Sequence, residues 1–191
     1  MTRTYDMTSR ARLAAETSAR ITDETERLLI EMPIGEITLQ HIAAGADVTV
    51  QTVLRHMGSR NGCFEAVGRA ASARVRDQRG HTEPGDVPGA ISSLVAHYEA
   101  EGRLVLNMLA QEHTGDDMAR QATEIGRQYH REWVQRCFGP ALDRLNQEAI
   151  DALVAATDLY LWKLMRLDLG RSPAATEAVM TTLVQGVLET S

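Results

Sequence analysis

Apolar residues in this chain return at intervals of three and four and almost never at intervals of two, which restricts it to helices. Ile21, Leu28, Leu29 and Met32 fall at i, i+7, i+8 and i+11, with Thr25 in the i+4 place. Only 2 Trp, 4 Tyr and 2 Phe are present, so little is available to build a sheet from. A first helix is expected over 10–32, stopped by Pro33 and Gly35. Thr38 then caps a short segment with Leu39, Ile42 and Ala43 apolar, and Gly45-Ala46-Asp47 reads as a tight turn. Val48-Thr49 open a second short helix that reaches Met57. Gly58-Ser59 break it, and Ser59 caps a longer helix to 79 with Cys63, Phe64, Val67, Ala70, Ala71 and Val75 on its apolar face.

The stretch from Gly80 to Gly89 is rich in Gly and Pro and marks the expected boundary between a front domain, 1–80, and a rear domain, 81–191. Beyond it, helices are predicted over 88–113, either continuous or broken near Gly102, then 116–138, 147–168 and 173–189. Asn146 and Ser172 serve as caps, with Pro173 at a first helical position. The last two helices are apolar nearly all round: Ile150, Leu153, Val154, Leu159, Leu161, Trp162 and Leu164 in one, Val179, Met180, Leu183, Val184 and Val187 in the other. Such helices need cover on several sides. A second subunit would supply it, and so would burial within one monomer.

Net charge is −6, but it is unevenly placed. Residues 1–80 hold eleven Arg against ten acids; residues 81–191 hold eight Arg and Lys163 against sixteen acids. A weakly basic front and an acidic rear suggest a polyanion as partner of the front alone. Nineteen of the twenty cations are Arg, which suits phosphate contacts and equally fits a coding bias. No apolar run is long enough for a membrane span, and the N-terminus lacks the apolar core of a secretion signal, so a cytoplasmic protein is expected. Cys63 and Cys137 are too few for a disulfide framework or a zinc site, and both read as core residues. No catalytic motif occurs: there is no G-x-S-x-G, no phosphate-binding Gly-Lys-Ser/Thr loop and no G-x-G-x-x-G. His97 and Glu101 sit four apart, too few ligands for a metal. No enzyme activity, metal or cofactor is expected.

The segment 38–64 joins a short helix, a Gly-containing turn and a second short helix, the pattern of a helix-turn-helix whose second helix enters the DNA major groove. Leu39, Ile42, Ala43, Val48 and Val53 would fix the angle between the helices, while Thr49, Val50, Gln51, Thr52, Arg55 and His56 face outward. Gln pairs with adenine, Thr and Val meet thymine methyls, and Arg or His takes guanine or phosphate. Thr38, Gln40 and Arg60 complete the candidate DNA contacts, Thr38 with backbone amides at a helix start. Arg3, Arg10 and Arg12 form either a basic arm or a solvated terminus.

These residues resemble the TetR (tetracycline-repressor-like) family of transcriptional regulators, whose signature runs T-x-x-x-I-A-x-x-A-G-V-S-x-x-T-L-Y-x-H-F-x-S-K-x-x-L. Thr38, Ile42, Ala43, Ala46, Val48, Thr52, His56 and Ser59 match it directly, and Thr49, Val53 and Arg60 are conservative replacements. Asp47 stands for the turn glycine, Leu54 for a Tyr that commonly reaches phosphate, Met57 for Phe and Cys63 for Leu. The resemblance implies an all-α fold with a three-helix helix-turn-helix head and a C-terminal helical bundle for ligand binding and dimerisation. It further implies a homodimer that represses from a palindromic double-stranded DNA operator until a small-molecule effector releases it, and the nearly all-apolar helices at about 147–189 are the expected subunit contact. The effector cavity would lie among the rear helices, where His97, Tyr98, Met108, His113, Tyr129, His130, Trp133, Trp162 and Met165 form a set of amphipathic groups on neighbouring helices. His97, Tyr98, Met108, Tyr129, Trp133, Trp162 and Met165 are the candidate effector contacts. A different reading of the same helices is a small-molecule-binding or protein-interaction module without operator binding.

Overall fold

Ile21, Thr25, Leu28 and Leu29 form the inner face of helix α1 (Arg3–Glu31), each less than 5% exposed. Thr25 fills the one polar place in that row because its hydroxyl donates to the Ile21 carbonyl at 2.7 Å and so is itself satisfied. A computed structural model describes residues 3–114, 117–142 and 147–190, with side chains from Ser9 onward except at 140–142. Among the described residues there is no strand, as the spacing predicts, and no helix is long and apolar enough to cross a membrane. The chain divides into two compact units, 1–72 and 73–191, and the division falls inside a helix.

In the first unit α1 ends ahead of Pro33, which lacks the N–H to continue it. A single tight turn, Ile34–Glu36, buries Ile34. Helices α2 (Leu39–Gly45), α3 (Val50–Met57) and the start of α4 (Arg60–Arg79) follow. The second short helix begins at Val50 rather than Val48 because Thr49 is its cap. Ile37, Ile42, Val53, Cys63, Phe64 and Val67 close the core of this unit, each buried.

In the second unit α5 (Val87–Gln111) starts from Asp86, whose carboxylate accepts from the Gly89 N–H at 3.0 Å. It runs unbroken through Gly102, the continuous one of the two forms open for this stretch; that glycine leaves room for the ring of Trp162. After α6 (Asp117–Leu142) and α7 (Gln147–Ala156) comes α8 (Leu159–Lys163), continuing as a π-helical turn over Leu164–Asp168. The single helix predicted over 147–168 is therefore two. The Thr157 hydroxyl donates to Leu153 O at 2.7 Å, and Asp158 caps a fresh start by accepting from Tyr160 N at 2.8 Å. Ser172 caps α9 (Pro173–Glu189), accepting from Ala175 N at 3.1 Å, with Pro173 in the first turn as expected. Asn146 lies outside the described residues. The core gathers Leu94, Trp133, Phe138, Leu153, Met180 and Val184 from α5, α6, α7 and α9.

Candidate functional site

The helix-turn-helix is held by local hydrogen bonds that its own sequence supplies. The Thr38 hydroxyl accepts from His41 N at 3.1 Å, and His41 Nδ1 accepts from Thr38 N at 3.4 Å, a reciprocal cap with His in the usual place of Glu or Gln. Val48 N donates to Ala43 O at 3.0 Å and closes the turn. Asp47 takes φ 53°, the left-handed conformation that a short polar side chain tolerates. At the far side Thr49 caps α3 through Thr52 N at 3.1 Å, and each such cap is worth about 1 kcal/mol. Gly58, at φ 76°, ends α3 by donating to Leu54 O at 2.8 Å.

Within this frame Ile42, Ala43 and Val53 are buried while Thr38, Gln40, Thr49, Gln51 and Arg55 are exposed and Val50 and Thr52 half-buried. Gln51 and Arg55, four apart on α3, share one face. Two other predicted contacts are engaged within the unit. His56 Nδ1 lies 2.9 Å from Ser18 Oγ of α1, leaving Nε2 as the other ring nitrogen. Arg60 donates from Nε to Ile37 O at 2.5 Å and from its second terminal nitrogen to Ile34 O, with its guanidinium 4.8 Å from the Phe64 ring centre. Leu54, one turn from Gln51 and 40% exposed, puts an apolar side chain on the outward face where the family motif has a phosphate-reaching Tyr. Arg10 and Arg12 are exposed on α1, and the side chain of Arg3 lies outside the described residues.

The second unit holds a buried polar cluster. Arg79 is 2% exposed, and its guanidinium carbon lies 4.3 Å from the Trp133 ring centre and 5.3 Å from that of Tyr129. Its terminal nitrogen donates to His130 Nδ1 at 3.2 Å. A guanidinium only donates, so Nδ1 is the acceptor and the proton sits on Nε2, which faces Thr157 Oγ1 at 3.1 Å. Burial and the Arg79 charge hold His130 neutral, its pKa lowered to about 4, and His97 likewise, lowered to about 3. The nearby Arg74 has an acid of its own: Nε and a terminal nitrogen meet both oxygens of buried Glu101 at 2.5 and 3.0 Å. No carboxylate among the described residues pairs with Arg79.

Four buried polar atoms among the described residues have no hydrogen-bond partner: Arg79 Nε, His97 Nδ1, Tyr129 OH and Trp133 Nε1. Leaving such a group unmet costs about 1–3 kcal/mol. All four belong to the second unit. His97, Tyr129 and Trp133 are candidate effector contacts; Arg79 is not, since in the sequence it reads as the flank of a linker. Of the other candidates, Tyr98, Trp162 and Met165 are buried and Met108 half-buried. Tyr98 stacks obliquely between His97 and Trp162, with ring centres at 5.4 and 6.2 Å, and its hydroxyl donates to Thr157 O at 2.9 Å. Trp162 Nε1 donates to Glu99 at 2.7 Å. His113 is exposed. Both cysteines are buried, and burial raises each thiol, so neither carries the thiolate a redox sensor needs.

The sequence matches no family model and no curated protein. The structure is similar to that of a TetR-family transcriptional regulator from Streptomyces coelicolor, with a TM-score of 0.69 at 22% identity, over 92% of this chain and 96% of that one. The shared fold is a helix-turn-helix head followed by a helical bundle, in agreement with the sequence resemblance.

Proposed function

We propose that this chain is a ligand-responsive DNA-binding transcriptional regulator, a homodimer that represses from a palindromic operator and is released by a small-molecule effector. The observation that carries it is the α2–turn–α3 geometry: both helices are capped by threonine, the turn is closed at Asp47, and Gln51 and Arg55 stand exposed on one face of α3. A helix presented in this way fits a major groove, where glutamine pairs with adenine and arginine with guanine. His56 and Arg60 serve differently in this reading. Arg60 braces the tight turn before α2, and His56, held by Ser18, offers only Nε2 to a phosphate.

Two heads related by a two-fold axis read half-sites one helical turn apart, so the operator is a rough palindrome. The second unit, 73–191, supplies both the effector site and the subunit contact in this reading. Effector binding lowers operator affinity by no more than the effector's own preference for the released state. Fold similarity to a transcriptional regulator and the head geometry support this assignment.

The test is a mobility shift with the DNA upstream of the chain's own gene, in the absence of ligand. A sequence-dependent shift that weakens steeply with salt is expected. Gln51→Ala and Arg55→Ala should each reduce discrimination by about 1–3 kcal/mol. Absence of any such shift would leave the binding module without operator activity as the reading to pursue.

A further inference from the structure

Arg79 is the only buried arginine described in the second unit, and no carboxylate described pairs with it; half-exposed Arg74, five residues earlier, has Glu101. Its Nε–H is unused; Tyr129 and Trp133, whose rings lie against the guanidinium, each carry a buried polar atom with nothing to bond, Tyr129 OH and Trp133 Nε1, and the same unit holds a third at His97 Nδ1. The indole N–H and the guanidinium N–H are donors only, the phenol donates readily, and neutral His97 donates from Nδ1 in one of its two tautomers. What this cluster lacks is an acceptor carrying negative charge. An ionised carboxylate is acceptor-only, has about four lone-pair sites, and neutralises a buried cation. The walls beside it are aromatic: the Trp133 and Tyr129 faces lie against the guanidinium.

We propose that the Arg79 cluster receives the carboxylate of a small-molecule effector, with Arg79 Nε as its principal partner and Trp133 Nε1 and Tyr129 OH as further donors. This rests on the reading of residues 73–191 as the effector-binding unit and names the chemical class of that effector. Arg79→Gln removes the cation. Trp133→Phe and Tyr129→Phe each remove one donor while keeping a ring in place.

The experiment is thermal melting of the full chain, without DNA, against benzoate, phenylacetate, octanoate and decanoate, each paired with its neutral amide. At least one acid should stabilise the protein and bind about tenfold or more tightly than its amide, since only the acid carries the charge. That preference should collapse in Arg79→Gln and shrink a few-fold in Trp133→Phe and Tyr129→Phe, which also carry the test should Arg79→Gln fail to fold. Acids and amides binding alike, no acid binding at all, or an acid preference untouched by the variants that fold would each overturn the proposal. The ligand-free mobility shift reads the regulator assignment separately. A chain that shifts DNA but ignores carboxylates keeps that assignment and loses this one; a chain that binds carboxylates but never DNA does the reverse.

Discussion

The ring of Trp162 lies against Gly102 of α5, so that a methyl group on that glycine would stand 2.7 Å from two of its carbons. The ring has little freedom to move. Its Nε1 donates to Glu99 at 2.7 Å, and Arg166 grips the same carboxylate at 2.6 Å. Gly102→Ala in a helix interior ordinarily gains about 1 kcal/mol. Here overpacking costs about 1–3 kcal/mol and outweighs it. The variant should unfold at lower urea, at unchanged slope, and a further Trp162→Leu change should recover part of the loss. A Gly102→Ala protein more stable than the parent would show that the indole yields easily.

Acid should weaken the second unit through His97 and His130. Both are neutral in the fold, with pKa values lowered to about 3 and about 4 by burial and by the charge of Arg79, to which Arg74 adds at His97 and Arg131 at His130. In the unfolded chain each returns to about 6.5. As pH falls below that, the unfolded chain takes up protons first, so stability present above about pH 6.5 is lost as the pH drops towards the folded values. At pH 5 the loss is about 2 kcal/mol for each histidine. Urea unfolding at pH 7 and pH 5 measures it, and His130→Gln should flatten the profile by about half. Equal stability at the two pH values would show that neither imidazole is held neutral.

Much of the architecture was legible in the sequence because it is set locally. Apolar intervals of three and four disclose helices, and the caps Thr38 and Ser172 act on amides three residues away. What was not legible depends on partners distant in the chain. Gly102 leaves a break in its helix open until Trp162, on another helix, is known to need its space. Arg79 reads as the charged edge of a linker; its burial comes from Tyr129 and Trp133 some fifty residues on. Arg60 reads as a DNA contact, and what occupies it is a pair of carbonyls at Ile34 and Ile37. The division of 147–168 is an intermediate case. Asp158 is a cap signal in plain view, but Leu153, Val154, Leu159, Leu161 and Trp162 sustain a helical rhythm across it.

Asp47 gives a separate handle on the head. It occupies the left-handed region at φ 53° and is exposed beside α3. Asn tolerates that conformation as well as Asp does and carries no charge. Asp47→Asn should leave thermal stability within about 0.5 kcal/mol and tighten operator binding several-fold, by removing a repulsion from phosphate that salt screens. Asp47→Val, β-branched at positive φ, should cost about 1–2 kcal/mol of stability. Anisotropy titrations with an operator fragment at two salt concentrations, beside melting curves, report both. Unchanged affinity in Asp47→Asn would place Asp47 away from the DNA backbone.

Within the proposed subunit span 147–189, the large exposed apolar side chains lie outside α7. In α7 Leu153 is buried and Ile150 and Val154 half-buried, so little apolar surface is left there. The exposed apolar side chains are Tyr160, Leu164, Leu167 and Leu169 along α8 and its π turn, and Leu183 on α9, each 39–57% exposed. On α9, Leu183 is flanked four residues away on either side by half-buried Val179 and Val187, a stripe along one face. Leu183→Glu would set a carboxylate into this contact with no partner, which costs about 3 kcal/mol and weakens association roughly a hundredfold. Because Leu183 is exposed in the single chain, the variant should fold with unchanged helical circular dichroism and elute as a monomer where the parent elutes as a dimer. Leu167→Glu should do the same from the π turn. A parent that is monomeric at micromolar concentration, or a Leu183→Glu protein that remains dimeric, would remove α9 from the interface.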